Sequence, residues 1–179
     1  MVAGSRGDER AWIRGAQSGS VPDLEALFRH HWPLAYRAAY LVVHDSAAAE
    51  DIAQEAFLAA VRSLDRFDRR RPFGPWLHRI VVNRAIDWSR SRALRRESGD
   101  TGLELVAAAA GPERDQSETL AAALSELSPE HRAVIVMRHL LEYTPGEIAD
   151  ALNLPRGTVN SRLRRGLDEL AAQLEQELR

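Results

Sequence analysis

Apolar residues recur every three to four positions through two long stretches of this chain, a period that only an α-helix turns into one continuous face. Glycine and proline are sparse inside those stretches and cluster between them, and almost nothing alternates as a half-buried strand would. The fold class expected is all-α, as two small helical domains joined by a flexible linker. A short helix is predicted over 8–20, with Trp12 and Ile13 inward and an end near Gly19. Pro22 suits the first turn of the next helix, which carries Leu24, Leu27, Phe28, Tyr36, Tyr40 and Leu41 with a break at Pro33. His44-Asp45-Ser46 reads as a turn with a capping residue. A third helix, 47–64, has the inward stripe Ile52, Ala53, Ala56, Phe57, Ala60, Val61 and Leu64. An arginine-rich loop over 65–74 precedes a fourth helix, opened by Pro75, with Leu77, Ile80, Val81 and Trp88 on one face.

Composition shifts at Glu97. The next twenty or so positions hold Gly99, Gly102, Gly111, Pro112, an alanine run and scattered acids, the signature of a linker. A second helical unit follows. Ser128-Pro129 divides a helix over 118–127 from one carrying Ala133, Val134, Val136, Met137, Leu140 and Leu141. Thr144-Pro145-Gly146-Glu147 is a capping box, in which the threonine hydroxyl and the glutamate each satisfy an amide left free at the helix start. It opens a short helix over 145–152, and a last helix begins at Arg156. The expected division is therefore 8–96, a linker at 97–117, and 118–175.

The chain has no cysteine, which excludes disulfides, thiolate metal sites and a cysteine nucleophile. No apolar run reaches the ~20 residues that a membrane span needs, and no secretory signal is visible at the start. A cytoplasmic protein without membrane contact of its own is expected. No paired histidine spacing, phosphate-cradling glycine loop or nucleophile elbow is present, so neither an enzyme nor a cofactor is expected. The net charge is −2, yet all 24 cationic residues are arginines, and they are segregated. Guanidinium groups suit phosphates, guanine edges and carboxylates.

Two basic constellations result. Over 144–170, two helices joined by a tight turn form a helix-turn-helix, with Ile148, Leu152, Leu154, Val159 and Leu163 spaced to pack them together. The second of these helices opens with Arg156, Thr158, Asn160, Ser161, Arg162, Arg164 and Arg165; residues 156–165 contain four arginines and no acid. Asparagine bonds adenine and arginine bonds guanine in the major groove. The competing reading is an αα-hairpin with a solvated basic face. Over 62–96, eleven arginines face three aspartates, a formal charge of +8. The cations Arg69, Arg70, Arg71, Arg79, Arg84 and Arg90 interleave with Phe67, Phe73, Trp76 and Trp88, the mixture that single-stranded nucleic acid requires. Trp76 and Trp88 also suit a core, whereas Phe73 beside Gly74 in a loop is the stronger candidate for contact with a base. A third group, Glu50, Asp51, Gln54, Glu55 and Leu58, lies opposite the apolar stripe of its helix; it reads as a solvated acidic face or a protein-docking surface.

These residues carry a resemblance. Asp51-Ile-Ala-Gln54-Glu55-Ala-Phe57-Leu58, Asp65-Arg-Phe67, Pro72-Phe73-Gly-Pro-Trp76-Leu77, Ile80, Asn83, Asp87 and Arg90 resemble the sigma-2 domain of the extracytoplasmic-function (ECF) sigma factors. Leu127-Ser-Pro-Glu-His-Arg132, Glu147-Ile-Ala149 and Gly157-Thr158-Val159-Asn160-Ser161-Arg162-Leu163 resemble their sigma-4 domain. The resemblance implies a factor that binds core RNA polymerase and directs promoter-specific initiation. It implies docking of Asp51, Gln54, Glu55 and Leu58 on the β′ clamp. It assigns recognition and opening of the −10 element to Arg69, Arg70, Arg71, Phe73, Trp76, Arg79, Asn83, Arg84 and Arg90. The −35 element falls to the helix from Arg156, which would also contact the β flap, and the acidic linker would thread the RNA-exit path. The partners implied are core polymerase and promoter DNA, with an anti-sigma protein as a further candidate. Asn160 departs from the Lys or Arg frequent in the family and implies an unusual −35 preference. The sequence stops soon after the last helix, so no appended sensing domain is expected. The alternative function is a stand-alone helix-turn-helix regulator, which accounts for 144–170 but not for 62–96; an RNA-binding adaptor is a third.

Overall fold

The computed structural model describes residues 6–97 and 116–177; most of the expected linker lies outside them. Among the described residues there is no strand. The helices are α1 (Arg6–Gln17), α2 (Val21–Val43), α3 (Ser46–Arg62), α4 (Phe73–Glu97), α5 (Gln116–Ser125), α6 (Pro129–Ile135), α7 (Pro145–Leu152) and α8 (Arg156–Glu177). Both ends of the segment expected as linker are thus helical, in α4 and α5.

Local chemistry sets most of the boundaries. The Ser20 hydroxyl accepts from the Asp23 amide at 3.4 Å and caps α2, with Pro22 in its first turn, where no intrahelical donor is needed. His44 ends α2 in the left-handed conformation at φ 52°, its amide donating to the Tyr40 carbonyl. The Asp45 carboxylate accepts from the Ala48 amide at 3.0 Å and starts α3. The break expected at Pro33 does not occur: α2 runs through it, and the proline is on the exposed side, where the carbonyl that loses its donor turns to water. The loop expected over 65–74 is shorter than predicted. Leu64–Arg66 forms a 3-10 turn, and α4 begins at Phe73, which leaves Pro75 within the first turn, still free of any need for an amide donor.

Four helices make the N-terminal bundle. Ile13, Leu27, Val42, Ile52, Phe57, Leu77, Val81 and Val82 fill its interior, and Ala35, Ala38, Ala39, Ala53, Ala56 and Ala60 bring α2 and α3 close. Helix α1 is held by polar contacts: the Glu9 carboxylate bonds His31 at 2.8 Å, and Gln17 donates to the carbonyls of Leu64 and Phe67. The bond to buried His31 holds the Glu9 carboxyl below its ordinary range against the opposing effect of burial.

The C-terminal unit is built on α6, which widens into a π-helical turn over Val136–Leu140. The Leu141 amide reaches the Val136 carbonyl, five residues back, and Glu142 takes a left-handed conformation. That exit turns Tyr143 inward. The Thr144–Glu147 capping box then starts α7, the threonine amide donating to the glutamate at 2.8 Å. Ile148 on α7 and Val159 on α8 are fully buried against each other's helices. Gly166 lets α8 approach α6: a Cβ there would stand 3.0 Å from Ile135 Cδ1 and 3.1 Å from His131 Cβ. The two units share one continuous apolar core, in which α2 and α4 meet α6, α7 and the π turn.

Candidate nucleic-acid interface

On α8, burying Val159 and Leu163 turns the polar residues outward. Arg156, Asn160, Arg164 and Arg165 are exposed, and Thr158, Ser161 and Arg162 are half-buried. Ser161 donates its hydroxyl proton to the Thr158 carbonyl at 2.9 Å, so this hydroxyl can accept from a ligand but has no proton left to offer. Burial pushes the Glu130 carboxyl of α6 up, but the Arg90 hydrogen bond, with smaller help from the nearby Arg162 charge, holds it below its ordinary range. The helix-turn-helix therefore presents a guanidinium-and-amide surface with no acid on its own first turns.

On α4 and the turn before it, Arg69, Arg70, Arg71 and Arg79 are exposed. Asp68 accepts from the Arg70 amide at 2.9 Å and shapes that turn. Trp76, Arg79, Ile80, Asn83, Arg84 and Asp87 line an open cleft along α4. Two of these groups, and Arg90 further along α4, already have partners. Asn83 donates to the Arg79 carbonyl at 2.8 Å and to the Ala151 carbonyl, at the end of α7, at 3.2 Å. Arg84 pairs with Glu55 at 2.6 Å, and Arg90 with Glu130 at 3.0 Å. Trp88 is half-buried, with the Arg92 guanidinium 5.0 Å from its ring centre.

Phe73 requires a correction. It is not in a loop facing solvent but begins α4, with 2% of its surface exposed. Its ring lies 5.1 Å from His31, 5.5 Å from Trp76, 5.7 Å from Phe67 and 6.3 Å from Phe57. Pro72 and Gly74 suggested a loop tip; the ring is instead drawn inward because this aromatic cluster is the apolar environment within its reach. Trp76, by contrast, is half-buried and lines the open cleft.

On α3, Asp51, Gln54, Glu55 and Leu58 are all exposed, Leu58 by 55%. Gln54 donates to Glu50 at 3.2 Å. The stripe predicted as buried loses Val61, which is 37% exposed, and Phe28 on α2 is 36% exposed. With Val21 (72% exposed), Leu24, Phe57 and Leu58 these side chains line an apolar groove between α2 and α3 beside the acidic face. The sequence reading missed this groove because both residues fall on the helical period of the core; the inward arc is narrower than the apolar arc.

The sequence reading also missed the residues through which the C-terminal unit meets α4 and α2. The Tyr143 hydroxyl donates to the Pro75 carbonyl at 2.8 Å. Burial, then the repulsion of Arg132, pushes His44 down to about 4.

Residues 27–95 match the family model for sigma-70 region 2, and residues 117–170 match that for sigma-70 region 4. The chain is 37% identical over 153 residues to the ECF RNA polymerase sigma factor SigW of Bacillus subtilis, covering 78% of this chain and 82% of that protein. It is 31% identical to the ECF RNA polymerase sigma factor SigL of Mycobacterium tuberculosis, covering 93% and 97%. Among solved structures it is similar to CnrH in complex with the cytosolic domain of CnrY, with a TM-score of 0.67 and 28% identity over 94% of this chain and 98% of that one.

Proposed function

From a chain that belongs to the ECF family of RNA polymerase sigma factors, and is thus an alternative sigma factor directing transcription through core polymerase and promoter DNA, we propose the following division of labour among its surfaces. The α3 face of Asp51, Gln54, Glu55 and Leu58 docks on the β′ clamp. The cleft and arginines of 69–90 hold the −10 element, with Trp76 in place of Phe73 as the stacking aromatic. Helix α8 reads the −35 element and meets the β flap. The observation that carries this reading is the polarity of α8: buried Val159 and Leu163 fix a face of exposed Asn160, Arg164 and Arg165 on the second helix of a helix-turn-helix.

The chain itself supplies binding and not bond-making chemistry; the polymerase is the enzyme, and the site of action is the cytoplasm. CnrH is found in complex with the cytosolic domain of CnrY, and an anti-sigma protein is a corresponding candidate partner here. Reconstituted transcription tests the whole reading. Purified core polymerase with this chain should yield promoter-specific transcripts that core polymerase alone does not. The free chain should bind duplex promoter DNA weakly, since polymerase multiplies two modest affinities by holding both units on one template. Tight specific duplex binding without transcription would favour the stand-alone regulator.

The −35 assignment carries a finer prediction. Asn160→Ala and Arg162→Ala should each cost about 1–3 kcal/mol of promoter affinity and relax preference at one base pair. Arg156→Ala and Arg165→Ala should weaken every sequence alike and reduce the salt slope by about one. Holoenzyme binding to a −35 variant library, at several salt concentrations, separates the two classes.

A further inference from the structure

We propose that Asp87 sets base preference within the −10 element by accepting a hydrogen bond from an exocyclic amino group, so that thymine, which has none, is rejected at the position it meets. This inference rests on assigning the α4 cleft to the −10 element. Residues 73–96 hold six arginines and a single acid, Asp87. Trp76, Arg79, Ile80, Asn83, Arg84 and Asp87 recur at steps of three and four and so form one side of α4. They line one open cleft of about 490 Å³, a volume in the range of small-molecule sites.

The protein makes no use of this carboxylate. Its helical neighbours of opposite charge are Arg84 and Arg90, three positions to either side. Arg84 is bound to Glu55 at 2.6 Å and Arg90 to Glu130 at 3.0 Å. The Asp87 side chain is exposed and has no ion pair or hydrogen bond among the described residues; Ser91 bonds only its backbone carbonyl, at 2.9 Å. Asp87 also borders a second cleft, shared with Asp51 and Glu55 of α3. On that side Glu55 already satisfies Arg84, and a third carboxylate only adds like-charge repulsion. On the −10 side Asp87 is the sole acid and supplies a charge that no other lining residue has.

A carboxylate in a DNA-binding cleft repels phosphate, so it weakens binding to every sequence unless a base offsets it. Ionised, it can only accept. On a base edge it bonds an amino group, cytosine N4, adenine N6 or guanine N2, and is repelled by thymine O4. The one donor on the thymine edge, N3–H, stands between two carbonyl oxygens that oppose a carboxylate. Asn83, one turn earlier, favours the same choice. Its amide donates to the Arg79 carbonyl of its own helix at 2.8 Å, which commits the nitrogen and leaves the side-chain oxygen as an acceptor. Two acceptors on residues one turn apart, with Cβ atoms about 5–6 Å from each other, suit the two protons of one amino group. Trp76 supplies the ring on which that base stacks. Exposed Arg79 suits the backbone, so phosphate contact positions the strand and Asp87 specifies the base.

Holoenzyme assembled from the full chain and core polymerase tests this on a promoter library carrying all four bases at each −10 position, scored by open-complex formation. The wild type should reject thymine at one position by about tenfold or more relative to an amine-bearing base. Asp87→Ala should bring that ratio close to one and raise affinity for the thymine template, because a phosphate-repelling charge is gone; a residue serving only the fold does not strengthen binding when removed. Asp87→Asn, able to donate as well as accept, should admit thymine. The amino group is then deleted from the DNA at that position, with 2-pyrimidinone for cytosine, purine for adenine or hypoxanthine for guanine, according to the base preferred. Deletion should weaken the wild type about tenfold and Asp87→Ala by less than about twofold. A thymine penalty that persists in Asp87→Ala, its absence from the wild type, or an amine deletion felt equally by both proteins overturns the proposal. Loss of core affinity in Asp87→Ala with base preference intact also overturns it and moves Asp87 to the α3 docking face. If the wild-type holoenzyme gives no promoter-specific transcripts, the functional reading fails and this proposal with it; if transcription is specific but its −10 preference ignores Asp87, the proposal alone fails.

Discussion

Phe73→Ala is expected to destabilise the N-terminal bundle by about 3–5 kcal/mol, the range for deleting a buried aromatic ring. The ring is almost wholly buried and touches aromatic groups from α2, α3, α4 and the turn between α3 and α4. Its neighbour Gly74 is closely covered: a Cβ there would stand 3.3 Å from the His31 ring and 3.6 Å from that of His78. The cavity left by alanine therefore has little freedom to collapse. Thermal unfolding should show a midpoint lowered by more than about 10 °C, given the shift per kcal/mol of a domain this size. Trp76→Ala, half-buried at the cleft, should cost less in stability and more in strand opening, which permanganate reactivity of thymines near the start site reports. An unchanged midpoint for Phe73→Ala, with impaired opening, would return that ring to the role of a base-stacking residue.

Gln54→Ala with Glu55→Arg is expected to abolish docking on core polymerase, a loss of about a hundredfold or more in affinity, as for reversing a charge at the centre of a complementary interface. The fold should tolerate the change. Both side chains are exposed, and the Arg84–Glu55 pair that is lost is an exposed one, of the kind that contributes about 0–1 kcal/mol. Co-purification with core polymerase measures the first effect and thermal unfolding the second. Because Glu55 also holds Arg84, a third substitution discriminates between direct and indirect action. Arg84→Ala in the otherwise unchanged chain removes the group that Glu55 holds. Docking should survive if Glu55 meets polymerase itself, and should be lost if its work is to position Arg84. Undiminished co-purification of the double variant would move the docking surface elsewhere, with the adjacent groove of Val21, Phe28 and Val61 as the next candidate.

Much of this molecule is written in local sequence because helices are governed by local rules. Periodicity places the stripes of α2, α3, α6 and α8, and short-range capping chemistry at Ser20, Asp45 and Thr144 marks where helices start. The helix-turn-helix was legible for the same reason: Ile148, Val159 and Leu163 are close in sequence, and burying them leaves the arginines and Asn160 facing outward. The charge segregation that pointed to nucleic acid and the motifs that resembled the sigma-2 and sigma-4 domains are likewise properties of the chain as read.

What remained hidden depends on which surfaces meet. Phe73 looked solvent-facing because its flanking residues are turn formers, but its position is decided by a pocket assembled from distant segments. Val61 and Phe28 obey the core's period yet stay exposed, since only tertiary packing determines how wide an arc of each helix is covered. Tyr143 owes its inward turn to a π-helical exit and a left-handed Glu142 that no residue preference announced. The sequence by itself determined the helices, their caps, the two units and the chemistry each displays, because those follow from spacings of a few residues. Only the tertiary structure decided that Tyr143, Ala151 and Glu130 would lie along Pro75, Asn83 and Arg90, a contact between groups forty to sixty-eight residues apart whose energy comes from the fit of two surfaces rather than from any local pattern.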